Sequence, residues 1–140
     1  MKILIAVDGS SYTKRMLAFL AAHDEWFGAA HRYTIAHAVA PLPSRVTRAL
    51  GREQIDVYHQ ASSEVVFKPI RAFFKQQGIA PTYVSKVGAP DETLTRLAQA
   101  QKFDLLVMGS HGHGALVSLV LGSVAAKVLA TCKVPVLLIR

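Results

Sequence analysis

The sequence has few of the features that mark secreted or membrane-spanning proteins. Its single cysteine, Cys132, has no second cysteine in the chain with which to form a disulfide, and structural disulfides belong to oxidising compartments. No apolar run reaches the ~18 residues of a membrane span. The apolar run that follows Met1 is short and leads to no small-residue cleavage site, which argues against a signal peptide. We therefore expect a cytoplasmic protein with no membrane partner.

Charged residues are scarce as well. They make up 18% of the 140 residues, while hydrophobic residues make up 51%. An average globular domain has about 25% charged residues. This balance excludes intrinsic disorder and favours elements that are buried on both faces. The length is that of one domain, so we predict a single domain over residues 1–140.

Acidic residues are absent from the C-terminal stretch. No Asp or Glu follows Asp104, and the whole chain carries 16 Lys and Arg against 9 Asp and Glu, a net charge of +7. A basic balance favours an anionic partner, such as a nucleotide, a nucleic acid or a membrane surface. An anion bound by this stretch would meet no carboxylate there, although a mildly basic protein can also have one acid-free stretch by chance.

Three arginines, Arg45, Arg48 and Arg52, are spaced i, i+3 and i+7 and would share one face of a helix. Such a face could contact phosphate, another subunit or nucleic acid, or simply be solvated. No aromatic residues of the kind that stack on bases are interleaved with the arginines. Nucleic-acid binding is therefore the weaker alternative.

Five short segments predict strands, and helical patterns lie between them. The segments are residues 3–7, 33–39, 82–87, 105–108 and 134–139. Four are continuous apolar runs, which are typical of parallel strands covered on both faces, whereas 82–87 alternates. Helical spacing covers residues 12–23, 55–77, a segment beginning at Pro90, and 123–131. We expect Pro69 to kink the second helix or end its first half, and residues 40–51 to be irregular. This alternation predicts an α/β fold with an open, doubly wound, five-stranded parallel sheet and helices on both faces.

Glycines cluster where the fourth predicted strand ends. In open α/β sheets, ligands bind at the carboxyl ends of the strands. Here Gly109 and Gly112 follow the strand, and Gly122 precedes the last helix. Unpaired amides at a helix N-terminus, together with the helix dipole, favour an anion. The alternative is that Gly122 turns the chain and Ser123 caps the helix. The P-loop and the dinucleotide glycine fingerprint are both absent.

The spacing Gly109-x2-Gly112-x9-Gly122-Ser123 resembles the ATP-binding motif of the universal stress protein family. The segment KILIAVDGS resembles the first strand and acidic turn of that family, and the segment from Gly122 to Leu138 resembles its last helix and strand. The resemblance implies the strand order 3-2-1-4-5. It also implies binding of ATP, with Mg²⁺ held mainly by the phosphates.

The resemblance further implies roles for individual residues. The residues placed at the phosphates are Gly112, Gly122, Ser123 and Val124. Those placed at the ribose or adenine are Asp8, the Val39 backbone, Met108 and Gly109. His111 occupies a variable position of the motif and completes the candidate set.

Chemistry beyond binding is not evident in the sequence. His111 and His113 are two residues apart, but a tight zinc site needs three or four protein ligands, so we predict no protein-only metal site. No base is positioned for ATP hydrolysis.

Three functions remain open. The first is a nucleotide-dependent stress-response or signalling switch with negligible turnover. The second is a slow ATPase or self-phosphorylating protein that uses Ser123 or a loop histidine, and the third is a protein that binds another adenine nucleotide, such as AMP or a cyclic dinucleotide. The histidines at 23, 31, 37 and 59 are predicted to be packing or surface residues.

The last predicted strand favours a homodimer. Pro135 cannot donate to a sheet ladder and so indicates an edge strand, which exposes unpaired backbone groups unless it is covered. We predict that two copies pair through residues 134–139, from Val134 to Ile139, about a two-fold axis. The alternative is a monomer whose edge is protected by Lys133 and Arg140.

Overall fold

The computed structural model describes residues 1–114 and 121–140. The strands within these ranges are β1 (Lys2–Ala6), β2 (Arg32–Val39), β3 (Thr82–Val87), β4 (Leu105–Gly109) and β5 (Val136–Ile139). The helices are α1 (Ser11–Ala22), α2 (Asp24–Phe27), α3 (Ser44–Ala49), α4 (Arg52–Gln76), α5 (Pro90–Ala100) and α6 (Ser123–Thr131). No helix in the described part of the chain is both long and apolar enough to span a membrane.

The five strands form one parallel sheet in the order β3-β2-β1-β4-β5. β1 lies at the centre, where Ile5 is beside Ile35 of β2 and Val107 of β4. All three side chains are completely buried, because parallel crossovers place helices over both faces of a sheet. The predicted fold class and strand order are confirmed.

Two hydrophobic cores lie on the two faces of the sheet. Side chains alternate between faces along a strand, so Ile3 and Ile5 of β1 join one core, and Leu4 and Ala6 join the other. The first core is completed mainly by residues of α1 and α4: Met16, Leu17, Leu20, Val66, Phe67, Ile70 and Phe74. The second is completed mainly by residues of α5 and α6: Leu94, Leu97, Ala98, Ala125 and Val128. Full burial of one large apolar side chain contributes about 1.5–3 kcal/mol.

Residues 40–51, predicted to be irregular, contain the short helix α3. Pro43 is its N-cap residue, and the Thr47 hydroxyl donates to the Ser44 carbonyl at 3.0 Å. The helix has six residues and none of them is buried, so it leaves no apolar period in the sequence. Helix α2 has four residues and buries only Phe27, so it is too short to show an apolar period.

Pro69 does not end its helix, because α4 continues through it from Arg52 to Gln76. Proline lacks an N–H and leaves the carbonyl four residues earlier without its helical partner. That carbonyl belongs to Val65, which is 77% exposed, so water can satisfy it. The opposite side of α4 buries Val66 and Ile70 in the first core, and this packing holds the helix together on both sides of the proline.

Candidate functional site

A pocket of about 320 Å³ opens at the carboxyl ends of β1 and β4. The chain leaves these neighbouring strands in opposite directions, β1 towards β2 and β4 towards β5, and such a switch point is where open α/β sheets bind ligands. Eight of the candidate residues line this pocket: Asp8, Met108, Gly109, His111, Gly112, Gly122, Ser123 and Val124. Ligand pockets typically measure about 300–1,000 Å³, so the volume suits a small molecule.

Asp8 follows β1 and is fixed by the turn into α1. Its Oδ1 accepts from the Ser10 amide at 2.9 Å and from the Thr13 hydroxyl at 2.9 Å. Ser10 is the N-cap of α1 and accepts from the Thr13 amide, so helix capping is done by Ser10 rather than by Asp8. Gly9, with φ +78°, allows the turn between them. The other carboxylate oxygen, Oδ2, packs closely against Gly112.

Three glycines of the candidate motif are required by close packing within the protein itself. A Cβ added at Gly112 would lie 2.6 Å from Asp8 Oδ2, and one at Gly109 would lie 2.9 Å from the Tyr12 Cβ. At Gly122 the added Cβ would lie 2.9 Å from the Ser110 carbonyl oxygen. By contrast, a Cβ at Gly114 would meet no atom of the described residues within 4 Å. The glycine spacing indicates the close approach of a ligand. The contacts show that Gly109 and Gly112 also bring the loop after β4 against the start of α1 and the turn before it.

The N-terminus of α6 opens into the pocket without a side-chain cap. Gly122 is the N-cap residue and makes no side-chain cap hydrogen bond, and Ser123 is the first helical residue. The predicted alternative, that Ser123 caps the helix, is therefore wrong. The Gly122 amide donates to the Ser110 carbonyl at 2.8 Å, and the Ser110 amide donates to the Ile139 carbonyl at 2.8 Å. The helix start is thus anchored to β5, and its first amides are oriented as donors for an anion.

Histidines contribute more to the pocket than the sequence indicated. His37, predicted to be a packing or surface residue, lines the pocket together with His111 and His113. The His37 Nδ1 lies 2.8 Å from the Val7 carbonyl oxygen, and the His113 Nε2 lies 2.7 Å from the Asp8 carbonyl oxygen. The signal for His37 was a polar residue in an apolar strand, two positions before the carboxyl end of that strand.

One end of the pocket is apolar. Its wall contains Ala6, Leu94, Met108 and Ala125, which are all members of the second core, and the other end contains the glycines and histidines. Val39 is the one candidate residue outside the lining. Its side chain is buried and its carbonyl accepts from the Gly88 amide at 2.9 Å.

The three candidate arginines do not act as one surface. Arg45 and Arg48 lie on α3, but Arg52 begins α4 after a break in the helix, so the predicted shared helix face does not form. Arg52 lines a separate groove between α4 and β3. Across the described ranges, no group of three or more His, Cys, Asp or Glu side chains could hold a metal ion.

Sequence comparisons relate the whole chain to one family. The profile of the Universal stress protein family matches residues 1–140. A relative from Thermus aquaticus, a universal stress protein in the QAH/OAS sulfhydrylase 3' region, is 33% identical over 144 residues, which cover 99% of this chain and 97% of the relative. Universal stress protein Slr1230 from Synechocystis is 30% identical over 99% of this chain, which spans 42% of that longer protein.

Solved structures share the fold. MJ0577, from Methanocaldococcus jannaschii, has a TM-score of 0.77 at 23% identity and covers 99% of this chain and 94% of its own. A universal stress protein in complex with cAMP has a TM-score of 0.71 at 23% identity, with 100% and 97% covered. The universal stress protein from Archaeoglobus fulgidus in complex with dAMP has a TM-score of 0.69 at 21% identity, with 100% and 98% covered. Because the family profile matches the whole chain and the solved structures share its fold, the chain belongs to the universal stress protein family.

Proposed function

We propose that this chain binds ATP with Mg²⁺ in the pocket between β1 and β4, and that it acts in the cytoplasm as a nucleotide-dependent switch in stress response or signalling. The observation that carries the proposal is the uncapped N-terminus of α6 at the polar end of a pocket whose other end is apolar. A nucleotide has the matching asymmetry, because its base is flat and largely apolar and its phosphates are anionic. Similar proteins bind the adenine nucleotides cAMP and dAMP.

The proposed orientation places the base against the apolar wall and the phosphates at α6. The phosphates would accept from the backbone around Gly112, Gly122, Ser123 and Val124. Hydrogen bonds to a charged group contribute roughly 1.5–3 kcal/mol each. No acidic residue follows Asp104 in the sequence, so this part of the wall adds no like charge.

The sugar would lie between these two ends, beside Met108 and Gly109. Asp8 Oδ1 is occupied by Ser10 and Thr13, and Oδ2 faces the pocket, where a carboxylate can accept from ribose hydroxyls or from the adenine amine. The backbone of Val39 is proposed to lie near the base, on the same edge of the sheet as the pocket-lining Ala38.

Mass spectrometry of small molecules released from purified, denatured protein is the direct test. We expect an adenine nucleotide to be released, and we expect calorimetry with MgATP to give a dissociation constant between the micromolar and millimolar ranges. GTP serves as the control for base selectivity. The absence of both bound nucleotide and any heat or thermal shift with several millimolar MgATP would contradict the proposal.

A slow ATPase or self-phosphorylating protein is the second candidate, and it is favoured by the presence of His111 and His113 in the pocket wall. Each of these histidines already contacts the protein, His111 through Ser110 and His113 through the Asp8 carbonyl. We therefore expect turnover far below the ~10 s⁻¹ median of enzymes. Phosphate release of several molecules per second that disappears in His111→Asn or His113→Gln would establish the enzyme instead.

We also propose that the protein is a homodimer joined through residues 134–139. Strand β5 lies at the edge of the sheet, and all four of its residues are aliphatic. Pro135 immediately precedes β5, and its carbonyl accepts from the Leu106 amide at 2.9 Å. A second copy would cover the outer side of this edge.

A further inference from the structure

Among the residues that the structure describes, no Lys or Arg lines the nucleotide pocket. The chain carries 16 Lys and Arg, but none of them is among the described residues that line the pocket. The ionisable groups in the lining are Asp8 and three of the six histidines, His37, His111 and His113. A bound phosphate would therefore meet backbone amides and imidazoles rather than ammonium or guanidinium groups.

Hydrogen bonds to main-chain carbonyls fix which ring nitrogen carries the hydrogen in two of these imidazoles. His37 Nδ1 contacts the Val7 carbonyl, and His113 Nε2 contacts the Asp8 carbonyl. A carbonyl oxygen only accepts, so each contacting nitrogen carries the hydrogen, and the other ring nitrogen is the one that gains a proton. Both nitrogens of an imidazolium are donors. Protonation therefore adds positive charge to the wall without breaking either contact to the main chain.

Charged groups lie around the three histidines on both sides of the pocket. The Asp8 carboxylate lies in the turn that His113 contacts. His111 packs on the Tyr12 ring at 5.0 Å, and the Arg15 guanidinium lies over that same ring at 5.2 Å. His37 meets the Phe67 ring of α4 at 6.1 Å. The Arg71 guanidinium lies over that ring at 5.7 Å and is paired with Glu64. The parts of α5 and α6 that line the pocket contribute Pro90, Leu94, Ser123, Val124 and Ala125, which carry no charge.

We propose that His37, His111 and His113 select ligands by phosphate charge, and that they do so by taking up protons when a nucleotide binds. This inference rests on the proposed function. A nearby negative charge favours the charged form of histidine, and histidine is the side chain that changes charge between about pH 5 and 8. By linkage, nucleotide affinity increases as pH falls through this range. A pocket lined by Lys or Arg would show no such dependence.

Calorimetry with cAMP on the full chain is the first test. A cyclic phosphodiester has no proton to lose in this range, whereas a terminal phosphate titrates near pH 6, so changes seen with cAMP come from the protein. Titrations in two buffers of different ionisation enthalpy, at fixed ionic strength, measure proton uptake directly. We expect affinity to rise about fivefold for each proton taken up between about pH 8 and about pH 6. MgATP, corrected for its own protonation, is the second ligand.

Conservative variants separate charge from structure. His37→Asn and His113→Gln keep an N–H donor at the atom that contacts the main chain, and His111→Asn keeps one near the Ser110 hydroxyl. We expect the triple variant to have almost the same cAMP affinity at both pH values, because none of its new side chains titrates. If the triple variant does not fold, the single variants carry the test, each with a smaller pH dependence. His23→Asn is the matched control, since His23 Nδ1 contacts the Phe19 carbonyl at 2.8 Å away from the pocket, and it should keep the full dependence.

The outcomes separate this inference from the proposed function. Wild-type protein that binds nucleotide equally well at both pH values without proton uptake overturns the inference and leaves nucleotide binding intact. Full pH dependence in all the pocket variants also overturns it. Failure to bind any adenine nucleotide at any pH overturns both proposals.

Discussion

Pockets of similar volume lie at the two ends of the sheet, but different chemical groups line them. The pocket of about 320 Å³ at the carboxyl end is lined by glycines, histidines and a helix N-terminus. The pocket of about 370 Å³ at the amino end is lined by aromatic and aliphatic side chains, including Phe27, Tyr33 and Phe74. The first offers main-chain donors to a ligand, whereas the second is bounded by large aromatic side chains, with the polar Asp24 and Gln77 also in its lining.

The difference indicates how the fold separates binding from stability. At the carboxyl end, side chains as small as a hydrogen atom let the loop after β4 approach the turn after β1. At the amino end, Phe27, Tyr33 and Phe74 are all less than 10% exposed and belong to the first core. Substitutions at the amino end should therefore lower stability and spare binding, and substitutions at the carboxyl end should lower binding.

The largest effect is expected for Phe74→Ala at the amino end. Phe74 is 3% exposed and lies 6.2 Å from the Tyr33 ring, and truncating a buried Phe to Ala costs about 3–5 kcal/mol. We expect the free energy of unfolding, measured by urea denaturation, to fall by that amount, while the MgATP affinity of the folded fraction is unchanged. The neighbouring half-buried Phe73 gives the matched variant Phe73→Ala, which should cost less. A loss of affinity in Phe74→Ala would show that the two ends are coupled.

The converse change at the carboxyl end is Gly122→Ala. The added methyl group would lie 2.9 Å from the Ser110 carbonyl oxygen and 3.0 Å from the His111 Cα, which displaces the start of α6 from the pocket. We expect MgATP affinity to fall by about a hundredfold, or about 2.8 kcal/mol, and the larger Gly122→Val to abolish binding. Gly114→Ala is the control, because its methyl group would meet no atom of the described residues within 4 Å. Equal losses in both variants would argue against a steric cause.

The edge strand β5 extends from the amino end of the sheet to its carboxyl end and provides the third test. Sedimentation at micromolar concentration should give about twice the 15.2 kDa chain mass, and Leu138→Lys should give monomer or precipitate. Leu138 also packs against the second core, so the variant's thermal stability must be measured beside its mass. Thr82→Lys on the opposite edge is the control, because Thr82 is an exposed residue of β3. A wild-type monomer throughout this range would remove the dimer and leave the pocket unaffected.

The same contrast explains which features could be predicted from the sequence. Apolar runs predict buried strands such as β1 and β4. The glycine spacing around Gly112 predicts the loop that lies beside the pocket. The continuity of α4 through Pro69 could not be predicted, because it depends on Val66 and Ile70 packing on the sheet. His37 was missed for a similar reason. Its role depends on the register that brings β2 beside the end of β1, and single-sequence patterns do not specify contacts between distant segments.

The smallest expected effect is that of Tyr33→Phe, which tests the amino end without removing its ring. The Tyr33 hydroxyl donates to the carbonyls of Phe27 and Gly28, the latter at 3.0 Å, so its loss should cost about 1 kcal/mol at neutral pH. Burial raises the pKa of Tyr33 to about 12. The native state therefore holds this proton more tightly than the unfolded state, in which a tyrosine has a pKa of about 10. The stability that this more tightly held proton contributes is fully present below about pH 10 and is lost as pH rises towards about 12.

Urea denaturation at about pH 9 and about pH 11 should show a steeper alkaline loss of stability in the wild type than in Tyr33→Phe. The difference between the two proteins isolates Tyr33, because every other residue is the same in both. Equal alkaline losses would mean that the Tyr33 hydroxyl is not protected by the packing at this end of the sheet.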